Sequence, residues 1–309
     1  MADFAFIGND YIAAQFLRRT EGNAHFRYVV TNADSPKGRG RRVGETPVAE
    51  YAGHAGIETM KTDNPCSEEF LEILRSKPVD FFLVFSYGHI LSEAFFSIPG
   101  NMPVNIHPSL LPQYRGAAPV NRVIMNGEEK TGVSFIKMVK KMDAGPIIMQ
   151  EVLDISPDMT SMDLTERIIE RAVSMFSDYD WDSPAALRQQ DDGAATYAPK
   201  IKKNELDYNT HWDGKKLNNM INGLSEYGIR AFLGERRIKL FSSRLNETET
   251  MRTSGLIEIS GNKIILYARR GSVSLEIMQL DGERKMNAAD FINGRKIKGG
   301  DIICAEYSQ

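Results

Sequence analysis

Residues 81–107, FFLVFSYGHILSEAFFSIPGNMPVNIH, contain two apolar runs, 81–86 and 102–107, separated by Gly, Pro and Ser positions. Each run is too short for a buried helix and reads as a strand. Working outward, runs of the same kind occur at 4–8, 26–31, 132–138 and 147–153. Helical patterns fall at 11–19, 48–52, 68–75, 119–126 and 162–176. Strands and helices in alternation require crossover connections. They predict an α/β fold with a mostly parallel, Rossmann-like sheet and helices on both faces. The last two strands lie close in sequence, which suits an antiparallel element at one edge.

The texture then changes. Residues 183–193, SPAALRQQDDG, are polar and carry no clear period. A linker is expected over 188–204, between a first domain at 1–187 and a second at 205–309. In the second, 229–245 reads as a hairpin about Gly234-Glu235, and 255–260 and 263–268 flank the turn pair Gly261-Asn262. Residues 272–280 form a further alternating run. Short strands with tight turns predict a small OB-like β-barrel. Asn287 is placed to cap a helix that Gly294 ends.

Composition narrows the function classes. The chain has 309 residues, 42% hydrophobic and 26% charged, which fits a soluble globular protein and not a disordered one. No apolar run approaches the roughly 18 residues of a membrane span, so no membrane partner is expected. The opening MADFAFIGND has no basic n-region, which argues against a secretory signal. Cys66 and Cys304 are far apart and read as reduced thiols of a cytoplasmic protein, not as a disulfide framework or zinc site. No metal is expected. Net charge is −3, but 208–309 carry +4 and 1–207 carry −7. A basic smaller domain suits a polyanionic partner; ordinary surface charge would look the same. One glycine, Gly8, follows the first strand, with no G-x-G-x-x-G and no phosphate-loop Lys-Ser/Thr, which argues against a dinucleotide dehydrogenase. The similar-looking Gly38–Gly44 run has its last spacing one residue too long. No G-x-S-x-G elbow occurs either.

The densest chemistry lies in 104–119, VNIHPSLLPQYRGAAP. Asn105 and His107 sit one residue apart on a strand, so both side chains share a face, about 7 Å apart. Ligands of parallel sheets bind beyond such carboxyl ends. An amide and an imidazole there can donate to one developing oxyanion. A capping amide and a core imidazole would give the same spacing. Asp143 follows in the Gly/Pro loop KMDAGP, where a carboxylate could order an imidazole and a water, or simply serve a turn. Ser86, Tyr87, Gly88, His89, Ile90 and Leu91 form a half-apolar loop after another strand, suited to a flat heterocycle or to an ordinary connection. The run SPKGRGRR holds Lys37, Arg39, Arg41 and Arg42 within six residues. It is either a solvated charge run or a phosphate clamp, to which Arg115, Lys137, Lys140 and Lys141 could add positive potential.

Asn105-Ile106-His107 before SLLP, with Asp143 in a D-A-G loop, resembles the formyltransferase family that uses 10-formyltetrahydrofolate. SLLPQYRGAAP, the basic loop SPKGRGRR and the stretch from Tyr197-Ala198-Pro199-Lys200-Ile201 onward resemble the branch that formylates methionine carried on initiator tRNA. The similarity covers nearly the whole chain. It implies Asn105, His107 and Asp143 as the catalytic trio. Ser109, Leu110, Leu111 and Pro112 would bind the folate, with residues 86–91 on its pterin side. Lys37, Arg39, Arg41, Arg42 and Arg115 would meet tRNA, with the basic loop near the acceptor end. The opening Gly8-Asn9-Asp10 departs from the family's usual G-T-P. A monomer is expected. The rival acceptor is an amino-sugar nucleotide, which would have no use for the basic loop or a basic second domain. A second rival, an RNA-binding protein with a vestigial catalytic fold, predicts salt-sensitive binding without folate turnover.

Overall fold

A computed structural model describes residues 2–37, 42–183, 186–246, 251–294 and 296–306. The chain divides into two compact units: Met1–Ala117 with Gly132–Leu153 and Glu166–Ala198, and Ala118–Thr131 with Asp154–Thr165 and Pro199–Gln309. The stretch expected as a linker is divided between them at Ala198. Among the described residues, no helix is long and apolar enough to cross a membrane.

The first sheet is built from β1 (Asp3–Ile7), β2 (His25–Thr31), β5 (Glu58–Lys61), β6 (Phe81–Val84), β7 (Met102–His107), β8 (Lys130–Lys137) and β9 (Ile147–Asp154), in spatial order β5-β2-β1-β6-β7-β8-β9. The pairs from β5 through β7 are parallel, and β8 runs antiparallel to β7. A separate two-stranded hairpin is formed by β3 (Ser35–Lys37) and β4 (Arg42–Gly44). Helices α1 (Tyr11–Arg19), α2 (Pro47–Ala55), α3 (Glu68–Arg75) and α4 (Glu93–Phe96) supply crossovers, and α5 (Pro119–Asn126) and α6 (Ser161–Asp178) follow.

The alternating pleat explains why this sheet is buried on both faces. Phe4 and Phe6 pack with Phe16 of α1 and with Phe176 of α6 in a set of aromatic contacts that includes Trp181. Their neighbours Ala5 and Ile7 point the other way, into a cluster with Tyr28, Phe82, Val84 and, from α3, Phe70, Leu71 and Leu74. Side-chain caps start the helices: Asp10 for α1, Thr46 for α2 and Ser67 for α3.

The second unit holds α7 (Gly214–Gly223), α8 (Ala288–Asn293) and the strands β10 (Ile229–Leu233), β11 (Arg236–Asn246), β12 (Ile257–Ser260), β13 (Lys263–Tyr267), β14 (Ser272–Leu280), β15 (Met286–Asn287) and β16 (Ile303–Cys304). The order β12-β13-β14-β11-β10-β16 is antiparallel throughout, with β15 beside β14. A bridge between Leu256 and Ile302 brings the two edges of the sheet together and curls it into a small barrel. Register shifts around Ser242 bend β11. The buried backbone groups of Ser243 beside this bend are taken up by Asn222 of α7, which donates to its carbonyl and accepts from its N–H at 2.9 Å each. Asn287 caps α8 by accepting from the Asp290 N–H, as expected from the sequence.

Candidate active site

Strand β7 ends at His107, and the loops that follow it build the site within the first unit. The Asp143 carboxylate is the meeting point. Its Oδ2 accepts the Gly116 N–H at 2.8 Å. Its Oδ1 lies 3.4 Å from Asn105 Nδ2 and 3.6 Å from His107 Nδ1. Thus one carboxylate oxygen is anchored to backbone and the other faces the amide and the imidazole. His107 is 4% exposed and Asp143 12%. The other ring nitrogen, His107 Nε2, is 2.9 Å from the Tyr114 carbonyl oxygen. A carbonyl only accepts, so Nε2 carries the proton, and Nδ1, on the Asp143 side, is the nitrogen free to gain or release one.

The local backbone is unusual here. Ser86, Tyr114 and Asp143 are the non-glycine residues with positive φ among those described, at 51°, 59° and 52°. Such conformations cost on the order of 1–3 kcal/mol each and persist where surrounding contacts over-determine them. Gly116 has φ 119°, and a Cβ there would lie 2.8 Å from the Ala198 carbonyl oxygen. Glycine is therefore required where the N–H that holds Asp143 is presented. In the same loop as Asp143, a Cβ on Gly145 would meet the Lys137 carbonyl at 1.7 Å.

The segment Ser109, Leu110, Leu111 and Pro112 is held by polar contacts that the sequence did not announce. Ser134 of β8 donates to the Ser109 carbonyl at 2.6 Å and accepts the Leu111 N–H at 3.2 Å. Gln150 of β9 donates to the Leu111 carbonyl at 2.9 Å and to Ser134 Oγ at 2.7 Å. Ser109 Oγ donates to the Gln113 carbonyl at 2.6 Å. The Leu111–Pro112 peptide is cis.

The second loop, 86–91, is fixed by the opening Gly8-Asn9-Asp10. Asn9 Nδ2 donates to the Tyr87 carbonyl, while Asn9 Oδ1 accepts the Asn32 N–H at 2.8 Å and the Thr31 hydroxyl at 3.0 Å. Asn9 thereby ties the carboxyl ends of β1, β2 and β6. Ser86 Oγ donates to Asp10 at 2.5 Å, and His89 Nε2 donates to Asn32 Oδ1 at 2.8 Å. The Tyr87 hydroxyl is buried without a hydrogen-bond partner, and burial pushes its pKa above the ordinary tyrosine value. Ile90 is 85% exposed beside it in the loop. An unsatisfied buried polar atom and a bare apolar side chain suit a ligand with a flat ring and polar edges.

The cations expected to meet tRNA divide three ways. Arg39 and Arg41 lie outside the described residues. Lys37 and Arg42 pair through their backbones across the β3–β4 hairpin. Arg115 departs from expectation. It is 1% exposed, and its guanidinium is taken by Gln190 and Asp192. A guanidinium so enclosed is scaffold and not a phosphate contact. The sequence missed Ser134, Gln150 and Gln190. Each works through a side-chain bond to a distant backbone group, which has no periodic signature.

Comparison with known proteins identifies the class of catalyst. The formyl transferase family matches residues 5–179, and the formyl transferase C-terminal domain matches residues 200–296. The chain belongs to the formyl transferase family. It is similar to proteins named methionyl-tRNA formyltransferase from Thermotoga sp. (strain RQ2), with 38% identity covering 98% of both chains, and from Thermotoga neapolitana, with 37% identity and the same coverage. Among solved structures it is similar to WlaRD, a sugar 3N-formyl transferase determined with dTDP and 5-N-formyl-THF (TM-score 0.67, 19% identity, 92% of this chain and 99% of that one). An N-formyltransferase from Helicobacter canadensis, in complex with folinic acid and dTDP-3-aminofucose, gives TM-score 0.63 at 17% identity, covering 89% and 99%. At those identities the likeness concerns the fold alone.

Proposed function

We propose that the protein transfers a formyl group from 10-formyltetrahydrofolate to the α-amine of methionine esterified to initiator tRNA. The convergence of Asn105 and His107 on one oxygen of Asp143 carries the reading of the reaction. The acceptor follows the full-length relatives named for methionyl-tRNA, at twice the identity of the sugar enzymes. The loops 86–91 and 109–112 would hold the folate, which supplies a formyl carbon already activated by its bond to a nitrogen leaving group.

The geometry supports the following roles. The unprotonated amine forms a bond to the formyl carbon, and the carbonyl oxygen gains the electron pair. Asn105 Nδ2 and a charged His107, through its Nδ1–H, donate to that oxyanion. The pair then returns, the bond to the folate nitrogen breaks, and formyl-methionyl-tRNA and tetrahydrofolate leave. His107 Nδ1 then gives its proton to the departing nitrogen, and the proton lost by the amine replaces it through a water ordered by Asp143 Oδ1. The Gly116 N–H and the Tyr114 carbonyl keep carboxylate and imidazole aligned throughout.

The basic loop and the positive second unit are proposed to hold the tRNA by phosphate contact, which makes the acceptor's KM rise with salt. The test is formylation of charged initiator tRNA, charged elongator tRNA and an amino-sugar nucleotide with labelled donor. The first should react well and the last not at all. Asn105→Ala should lower kcat by about 10²–10³-fold; near-normal turnover in that variant removes the mechanism.

A further inference from the structure

Among the residues after α6 that return to the site is Gln190, a side chain that the mechanism above does not use. Gln190 Nε2 donates to the carbonyl oxygens of Asp143 at 2.8 Å and Gly145 at 2.7 Å. Its Oε1 accepts from Arg115 Nε at 3.2 Å and Nη2 at 2.7 Å. Arg115 Nη1 donates onward to Asp192 Oδ1 at 2.7 Å, and Lys141 donates to Asp192 Oδ2 at 2.6 Å. The Arg115 backbone is itself fixed, its N–H to the Thr196 carbonyl at 2.9 Å and its carbonyl to the Ala198 N–H at 2.7 Å.

Gln190 therefore grips two loops at once. One is the loop of Asp143, whose φ of 52° requires outside support. The other contains Arg115, next to Gly116, the donor to Asp143 Oδ2. A neutral amide suits the place because it offers two donors and an acceptor together. A carboxylate would keep the Arg115 contact but face two carbonyl oxygens with no proton to give.

We propose that Gln190 is a positioning residue for formyl transfer, holding Asp143 at the distance and angle at which its Oδ1 faces Asn105 and His107. The proposal rests on the formyl-transfer reading of this site. It makes the stretch 188–198 part of the catalytic apparatus and not a spacer.

The experiment is a double-mutant cycle between Gln190→Ala and Asp143→Ala, with Gln190→Glu alongside, measured by formylation of methionyl initiator tRNA with donor and acceptor each varied in turn. With Asp143 present, Gln190→Ala and Gln190→Glu should each lower kcat about 10–50-fold while both KM values move less than about threefold. In the Asp143→Ala background, Gln190→Ala should cost less than about twofold, because the group it positions is gone. A merely structural role would lower activity equally in both backgrounds, and that result overturns the proposal, as does full kcat in either single variant. Should Gln190→Ala not fold, Gln190→Glu, which keeps the contact with Arg115, takes its place in the cycle. An inactive parent protein refutes the function and this role together; an active parent with an equally active Gln190→Glu refutes only the role.

Discussion

The barrel of the second unit and the candidate-site rim of the first bury polar backbone in opposite ways. In the barrel, antiparallel ladders pair the strands in the order β12-β13-β14-β11-β10-β16, and at the bend of β11 the Asn222 side chain serves Ser243. At the rim the loops after β6, β7 and β8 have left their ladders. Ser134, Gln150, Asn9, Gln190 and Asp143 itself take the place of the missing strand partners. The difference teaches where each unit is sensitive. A ladder is redundant, so a single change in the barrel costs stability. A loop held by single side chains is not, so a single change at the rim costs geometry and therefore rate.

The largest expected effect is at the rim. His107→Gln keeps a donor for the Tyr114 carbonyl but cannot carry a proton, so kcat should fall about 10²–10⁴-fold. The denaturant midpoint should move little, and a large loss of stability would erase the contrast. The intermediate effect is in the barrel. Asn222→Ala strands the N–H and carbonyl of Ser243 in a buried place, which should cost about 2–4 kcal/mol in denaturant unfolding. Its kcat at saturating substrates should stay within about twofold, and a rate loss matching that of His107→Gln would break the comparison. The smallest effect sharpens it at the network's edge. Asp192 is 59% exposed, and hydrogen bonds from Lys141 first and Arg115 second hold its carboxyl below the ordinary range. A lowered carboxylate pKa means its contacts persist at neutral pH and are lost only as pH falls through the lowered value. Lys141→Met should move the Asp192 titration, followed by carboxyl NMR, upward toward the ordinary value; an unmoved titration assigns the shift to Arg115 alone.

Much of this was legible beforehand because it repeats. The strands β1, β2, β6 and β7 announce themselves as apolar runs, and the hairpin turns of the barrel carry Gly234 and Gly261. Asn105 and His107 were legible because a strand period places them on one face. The short β5 and the one-turn α4 were not anticipated, being four residues each with mixed composition. Nor was α7, whose GKKLNNMING carries three asparagines and two glycines. Arg115 misled because charge in a sequence does not reveal burial; its partners Gln190 and Asp192 are more than seventy residues away.

Alone, the amino-acid order determined the two-part architecture, the layered sheet and the residue types at the end of β7, since these depend on local period and turn chemistry. Tertiary structure decided which oxygen of Asp143 faces the imidazole, which ring nitrogen of His107 is free, and which arginine is scaffold. Those outcomes rest on hydrogen bonds between residues distant along the chain, whose directionality leaves no trace in local pattern.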